Sequence, residues 1–452
     1  MNDIDSRLEK LGVAAPEILL PRDTALRQWA VIACDQFTQD RSYWEKAKGA
    51  AADGPSTLNM IFPEAFLADP GRAERMGGIH RVMRNYLEGG VFSAPRRGFI
   101  YLERDTPFNR RRRGLVAAID LERYDWAPSS RPLIRSTEGT VPERLPPRMD
   151  LRRNAPLETQ HVLLLIDDDS DALLPGLGGR AKKNAPVYQG ELMLNSGGVS
   201  GWFLDAHDDW AFLAEGLEGL ARRALALYPA GNAIREEQPF LFAAGDGNHS
   251  LASAKGVWEE YKKSHAAEAS GGGGLPVHPC RYALVEIENI YDPAIQFEPI
   301  HRVVFGLGFD EAVRLLSALP GFSCREAAGR EDLARLTAAP IKGNRFGVVS
   351  GNRFSLVETA EGGLATACLQ PLLDRAAAGA EGALSIDYIH GEDELFRLSS
   401  LPGRPATGIL LPSVQKAGFF ETVARTGPLP RKSFSMGEAS EKRFYVECRK
   451  LF

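Results

Sequence analysis

Hydrophobic positions follow two rhythms along this chain. Trp210, Leu213, Leu217, Leu220, Ala224 and Leu227 recur at helical spacing and predict an amphipathic helix packed on a core. Met76, Ile79, Val82, Met83 and Tyr86 predict a second helix over 72–87, closed by Gly89-Gly90. Flat apolar runs at 29–33, 161–166 and 240–244 read instead as buried strands. Period-two patterns at 98–105 and 114–121 predict a hairpin, and 282–287 a further strand running towards Tyr291-Asp292. After Gly306 the character changes: a helix over 310–319 closed by Pro320-Gly321, then a hairpin over 346–359 turning at Gly351-Asn352. Short strands at 387–391 and 408–412 and a helix over 413–425 follow. The expected fold class is α+β (mixed α/β): a main domain over 1–305, a smaller α+β subdomain over 306–385, and a C-terminal segment, 386–452, returning to the main domain.

Composition narrows the class. The 452 residues, 44% hydrophobic and 25% charged, are those of a soluble globular protein of two or three domains. A net charge of -5 argues against a nucleic-acid-coating surface and favours a small-molecule partner. The run Arg110 to Arg113 lacks aromatic stacking partners and reads as a solvated loop. No apolar run approaches the roughly 20 residues that span a bilayer, and the charged start MNDIDSRLEK lacks the apolar core of an export signal. The expected location is the cytoplasm, with no membrane partner. Cys34, Cys280, Cys324, Cys368 and Cys448 are scattered, with no CxxC pair, and read mainly as buried thiols.

The candidate chemistry centres on Gly245-Asp246-Gly247-Asn248-His249-Ser250, between strand 240–244 and a helix carrying Leu251, Ala254, Trp258 and Tyr261. Glycine allows a sharp turn and close approach of a ligand, and the first helical turn offers unpaired N–H groups at the positive end of its dipole. Phosphate suits that place. An ordinary turn with capping side chains is the competing reading. A second stretch, Arg135-Ser136-Thr137-Glu138-Gly139-Thr140, leads into Arg144, Arg148, Arg152 and Arg153, a cluster suited to phosphate or carboxylate. Pro142, Pro146 and Pro147 argue for an extended or broken path there. Asp35, at the end of strand 29–33, stands where α/β proteins place functional groups, or simply caps a helix. Asp167 to Asp169 suits a turn better than a magnesium site. The glycine-rich stretch 268–274 reads as a flexible loop, a candidate lid.

Asp246-Gly247-Asn248-His249 resembles the Asp-Gly-His-His-Arg signature of a widespread bacterial and archaeal family of unassigned function, with Ser250 where the arginine usually stands. That signature in turn resembles the phosphate-binding loop of the ParB and sulfiredoxin superfamily. Cys34-Asp35-Gln36, the Glu138-Gly139-Thr140 segment, Pro299-Ile300-His301-Arg302 and Pro430-Arg431-Lys432-Ser433 are similar to further family segments, and a downstream Pro-Lys element is matched only by Glu441-Lys442. The resemblance runs from about residue 25 to the C-terminus. It implies a ParB/sulfiredoxin-like core, ATP or ADP with Mg2+ as cofactor, and a phosphorylated small-molecule ligand. It also implies phosphoryl transfer to a small hydroxy or amino acid such as serine.

On this reading Asp246 or Glu138 takes the acceptor's hydroxyl proton and His249 donates to a phosphate oxygen. Gly247, Asn248, Ser250, Thr140, Arg144, Arg148, His301, Arg302, Lys432 and Ser433 bind the ligand, and no resident metal site is assigned. The alternative is a non-catalytic regulator that binds a phosphorylated metabolite. A ParB-like DNA-binding protein ranks below both, given the acidic charge and the missing helix-turn-helix pattern. The stretch 429–452 is expected to fold back onto the site while remaining dispensable for folding of the main domain.

Overall fold

The computed structural model describes residues 3–108, 110–159, 161–228, 238–266, 278–380, 382–403 and 405–452; the glycine-rich loop at 268–274 lies outside them. The chain forms two units, one of residues 1–295, 423–428 and 437–452, the other of 296–422 and 429–436.

The first unit is built on a mixed sheet of ten described strands. Its order is Tyr188–Glu191, Gly198–Leu204, Phe99–Asp105, Arg111–Asp120, Tyr282–Asn289, Leu163–Ile166, Phe242–Asp246, Ile134–Ser136 and Tyr124–Asp125, with Val13–Ala14 added against Arg111–Asp120. The expected hairpin is there, pairing Phe99–Asp105 with Arg111–Asp120. Strand Phe242–Asp246 runs parallel to Ile134–Ser136 and antiparallel to Leu163–Ile166. Helix His207–Leu227 buries Trp210, Leu213, Leu217 and Ala224 of the stripe its spacing predicts, with Leu220 half-buried and Leu227 exposed. Each such side chain contributes about 1.5–3 kcal/mol by leaving water. Among the described residues no helix is long and apolar enough to cross a membrane.

Charge is also buried in this sheet. Glu286 and Glu288, on one face of strand Tyr282–Asn289, are fully buried. Arg443 pairs with Glu286 and, at 2.5 Å, with Glu447, while Arg112 pairs with Glu288 at 2.5 Å. Burial and the neighbouring Glu286 push the Glu288 carboxyl well above the usual range, against the pull of Arg112. Arg110 to Arg113 is therefore no solvated loop: Arg111–Asp120 is a strand that turns Arg112 inward. Nor is the C-terminal stretch dispensable. Cys448–Lys450 pairs with Leu157–Thr159, Ile32 bridges to Phe444, and Phe444, Tyr445 and Val446 are core residues. Cutting at 429 would remove these and leave Glu286 with no Arg443.

The second unit is an antiparallel sheet in the order Ser323–Glu326, Arg353–Thr359, Asn344–Ser350, Ala406–Leu410, Phe297–Phe305 and Ser385–His390, with Phe434–Met436 also on Phe297–Phe305. Strand Phe297–Phe305, next to the edge, binds both Ser385–His390 and Ala406–Leu410. The division consequently falls at 295/296 and not at 305/306, and residues 386–422 go with the second unit.

Three local expectations also give way. Leu26–Trp29 is a short helix, with 30–33 extended beyond it, where a strand over 29–33 was expected. Only Phe419–Thr426 is helical in 413–425. The proline-rich 142–152 is helical, as Pro142–Arg144 then Leu145–Arg152, because its prolines occupy first-turn positions that lack an N–H partner in any case.

Candidate active site

Strand Phe242–Asp246 ends in Gly247, whose φ is 79°. A Cβ there would lie 2.9 Å from Val162 Cγ2 and 3.1 Å from Val162 Cα, so conformation and space both call for glycine. Helix Asn248–Ser264 starts at once, and its N-cap, Gly247, has no side chain to cap the first turn.

Asn248 joins the two predicted stretches. Its Oδ1 accepts from Ser136 Oγ at 2.6 Å and Thr137 N at 3.3 Å, and its Nδ2 donates to Ala244 O at 3.1 Å. Val141 N donates to His249 Nε2 at 3.2 Å, and Ser136 Oγ also lies 2.7 Å from Glu138 O. Thr140 Oγ1 is buried with no hydrogen-bond partner among the described residues. The turn 246–250 and the segment 136–141 therefore form one locus.

Asp246 Oδ1 accepts its neighbour's amide, Gly247 N, at 3.0 Å, and its Oδ2 lies 3.2 Å from Lys442 Nζ. Behind the helix start stands His161, with Nε2 3.3 Å from Ser250 Oγ and 3.5 Å from Asp35 Oδ2, and Nδ1 2.6 Å from the Tyr445 hydroxyl. That hydroxyl also accepts from Cys34 N at 3.1 Å. Burial works to lower the His161 pKa, but Asp35, with help from Asp246 and Glu64, raises it on balance. Burial likewise works to raise Asp35, yet His161, Gln36 and Lys442 hold it well below the usual carboxylate range. Each partner thus favours the charged form of the other. Glu64 is paired with Arg148; burial still pushes its carboxyl up.

Some of these groups border a cavity of about 120 Å³, whose polar lining includes Cys34, Glu64, Arg148, His161, Ser250 and Tyr445 but not Asp35, Asp246 or Lys442. Of the other arginines, Arg144 is exposed, Arg152 pairs with Glu158 at 2.6 Å, and Arg153 with Glu260 at 2.7 Å. Asp168 caps the next helix, its Oδ2 accepting from Ala172 N and Leu173 N at 2.9 Å, which accounts for the acidic triplet as a turn. Among the described residues no group of three His, Cys, Asp or Glu side chains could hold a metal ion.

The remaining candidates belong to the second unit. His301 is buried and its Nδ1 accepts from Leu411 N at 3.1 Å; burial, Arg302 and His390 lower its pKa to about 4. Arg302 donates to Gln370 Oε1 at 2.8 Å and lies 4.6 Å over the Tyr388 ring. Lys432 is exposed at φ 59°, and Ser433 is buried, donating to Pro430 O at 2.6 Å.

Sequence reasoning passed over His161, Glu64 and Tyr445. His161 reads only as the start of a strand, and Tyr445, 284 positions away, carries no local signal. Lys442 stood in the weakest of the matched segments.

The profile of a family described as a protein of unknown function (DUF1015) matches residues 17–376. The chain belongs to that family. The DUF1015 match includes Asp35, Glu64, Arg148, His161 and the turn 246–250; Lys442 and Tyr445 lie beyond it. No curated protein matches. Among solved structures the chain is similar to a free serine kinase in complex with AMP, at 13% identity and TM-score 0.37, over 74% of this chain and 92% of that one. It is similar also to a conserved hypothetical protein from Pyrococcus furiosus, at 12% identity and TM-score 0.33, over 73% and 90% of the two chains. A third is SbnI with C-terminal truncation from Staphylococcus aureus, at 10% identity and TM-score 0.34, over 71% and 82%. Likeness at that level carries no residue role across to this DUF1015 chain.

Proposed function

We propose that this chain is a nucleotide- or phosphate-ester-binding enzyme with a ParB/sulfiredoxin-like core, transferring a phosphoryl group to a small hydroxy or amino acid. The observation that supports it is one convergence: the uncapped start of helix Asn248–Ser264, the buried and unpartnered Thr140 hydroxyl, and three cation–carboxylate pairs, Arg148–Glu64, His161–Asp35 and Lys442–Asp246. Phosphoryl transfer needs mainly positioning and offset of charge. Helical N–H groups and Thr140 donate to phosphate oxygens; Arg148 and Lys442 offset their charge. Arg148 lines the same cavity as Ser250, so a guanidinium is still at hand where the signature's arginine is missing.

ATP or ADP, its phosphates held by the helix N–H groups, Thr140, Arg148 and Lys442, would supply the phosphoryl group as substrate with Mg2+. The acceptor's hydroxyl oxygen bonds to phosphorus as the bond from phosphorus to the leaving oxygen breaks, and Asp246 or Glu138 takes the hydroxyl proton. The test is calorimetric titration with ATP and ADP, joined to transfer assays over a panel of hydroxy and amino acids. Nucleotide binding with transfer to no acceptor overturns the enzyme reading.

One observation favours a regulator instead. Both oxygens of Asp246 are engaged, by Gly247 N and Lys442, as in a residue that holds a loop. A regulator would show no transfer, and Asp246→Asn and His249→Ala would lose binding of one phosphorylated metabolite to the same extent.

A further inference from the structure

Much of the wall of the cavity in the first unit is not polar. Met60, Phe62, Met76, Met83, Leu151 and Leu157 line it, and Met60, Phe62, Met83 and Leu157 are core residues. They come from separate elements: the turn Thr57–Met60 and the residues after it, helix Arg72–Glu88, helix Leu145–Arg152 and strand Leu157–Thr159. Packed interiors normally leave few spaces larger than a water molecule. A space of about 120 Å³ with such a wall is on the order of the engineered apolar cavities that take up one benzene. Methionines suit a wall that must fit a guest, because their unbranched side chains adapt.

The polar lining is already paired. Glu64 binds Arg148, Glu158 binds Arg152 and Arg449, Thr159 Oγ1 donates to Glu447 O at 3.1 Å, and Ser253 Oγ to His249 O at 2.7 Å. Such groups gain little from a polar guest. Arg152 is no exception: its Nη1 donates to Glu158 Oε1 at 2.6 Å and its Nη2 to Tyr282 O at 3.2 Å. Ser250 and His161 stand at the same cavity.

We propose that this cavity takes the apolar side chain, of leucine to phenylalanine size, of a hydroxy acid whose hydroxyl stands near Ser250 and His161. This deepens the phosphotransferase reading and rests on it only for the fate of the hydroxyl. Serine, whose side chain ends in a hydroxyl, would leave the apolar wall bare.

The test is calorimetry and thermal shift on the full chain with 3-phenyllactate and 2-hydroxyisocaproate, against lactate and serine, each with and without ATP. The apolar acids are expected to bind about tenfold or more tightly than lactate, since even one methylene in such a pocket is worth that much. Met83→Trp, which fills the cavity, is expected to collapse that ratio towards one; Met76→Trp, at a half-buried wall position, serves if Met83→Trp does not fold. Equal affinity for lactate and the apolar acids, or a ratio that survives both tryptophans, overturns the proposal. Transfer to serine would then still support the phosphotransferase. Tight binding of the apolar acids without transfer to any of them supports the cavity assignment while the phosphotransferase reading falls.

Discussion

Each unit buries a histidine beside charge, and the two are driven in opposite directions. His161 of the first unit faces Asp35, with Glu64 and Asp246 in range, and its pKa is raised although burial opposes this. His301 of the second unit lies beside Arg302 and His390, and burial with those neighbours lowers it to about 4. Burial is common to both, so the neighbours decide. The same contrast runs through the arginines: Arg148 borders a cavity with its carboxylate partner, whereas Arg302 is wholly enclosed, bound to Gln370 and stacked over Tyr388. A Pro-Ile-His-Arg motif can therefore look like chemistry in sequence while holding strands together in the fold.

The largest expected effect is on turnover. Asp246→Asn keeps the loop's shape but not its proton acceptance, and should lower phosphoryl transfer on the order of a hundredfold or more. If turnover is unchanged, Asp246 only holds the loop, and the first unit loses its distinction on that residue. Acid should then separate the units. A base whose folded pKa lies near 4 against an ordinary 6.5 stabilises the fold above 6.5, and that contribution is lost as pH falls towards 4. At about 1.36 kcal/mol per unit, His301 accounts for roughly 3 kcal/mol at most. Hydrogen exchange should show the second unit loosening over that window, and His301→Gln, which keeps an acceptor for Leu411 N, should flatten the response.

Asp35→Asn removes the carboxylate that charges His161, and should cost about 1.5–3 kcal/mol by chemical denaturation near pH 6. Here the sign reverses. A raised histidine stabilises the fold below 6.5, and the contribution fades as pH rises through the folded value. NMR titration of His161 should show its pKa falling in the variant; an unmoved value would break the contrast. His249→Ala should weaken nucleotide binding roughly ten- to a hundredfold. A matching loss in His301→Gln would place the second unit's histidine at the ligand. The smallest effect belongs to Arg41→Ala at the exposed pair with Asp69, 2.5 Å apart, which should cost under about 1 kcal/mol in thermal unfolding.

What the residue pattern disclosed was local. Helix Arg72–Glu88, helix His207–Leu227 and the hairpin Asn344–Ser350 with Arg353–Thr359 each stand where spacing put them, because each buries one stripe or face of its own. The turn at 246–250 and its neighbour at 136–141 were legible for the same reason: each is a polar turn at the end of an apolar strand. The rest depended on pairing across long separations. Nothing near His161 in the chain announces Asp35 or Tyr445, and nothing in Phe297–Phe305 tells that its partners are Ser385–His390 and Ala406–Leu410. Arg112 misled in the other direction. Four consecutive arginines look solvated until the strand's alternation sends one of them inward to Glu288.

The return of residues 437–452 to the first unit bears on how the protein is born. Synthesis runs from the N-terminus at about 5–20 residues per second, and domains usually fold as they emerge. Here the nascent first unit must wait. Its Glu286 has no Arg443, and its strand Leu157–Thr159 no Cys448–Lys450, until the entire second unit has left the ribosome. The second unit, with all but Leu429–Met436 already out by residue 422, can assemble its sheet while the first is still open. Buried carboxylates without their arginine resist desolvation, so completion of the first unit waits until residues 437–452 have emerged.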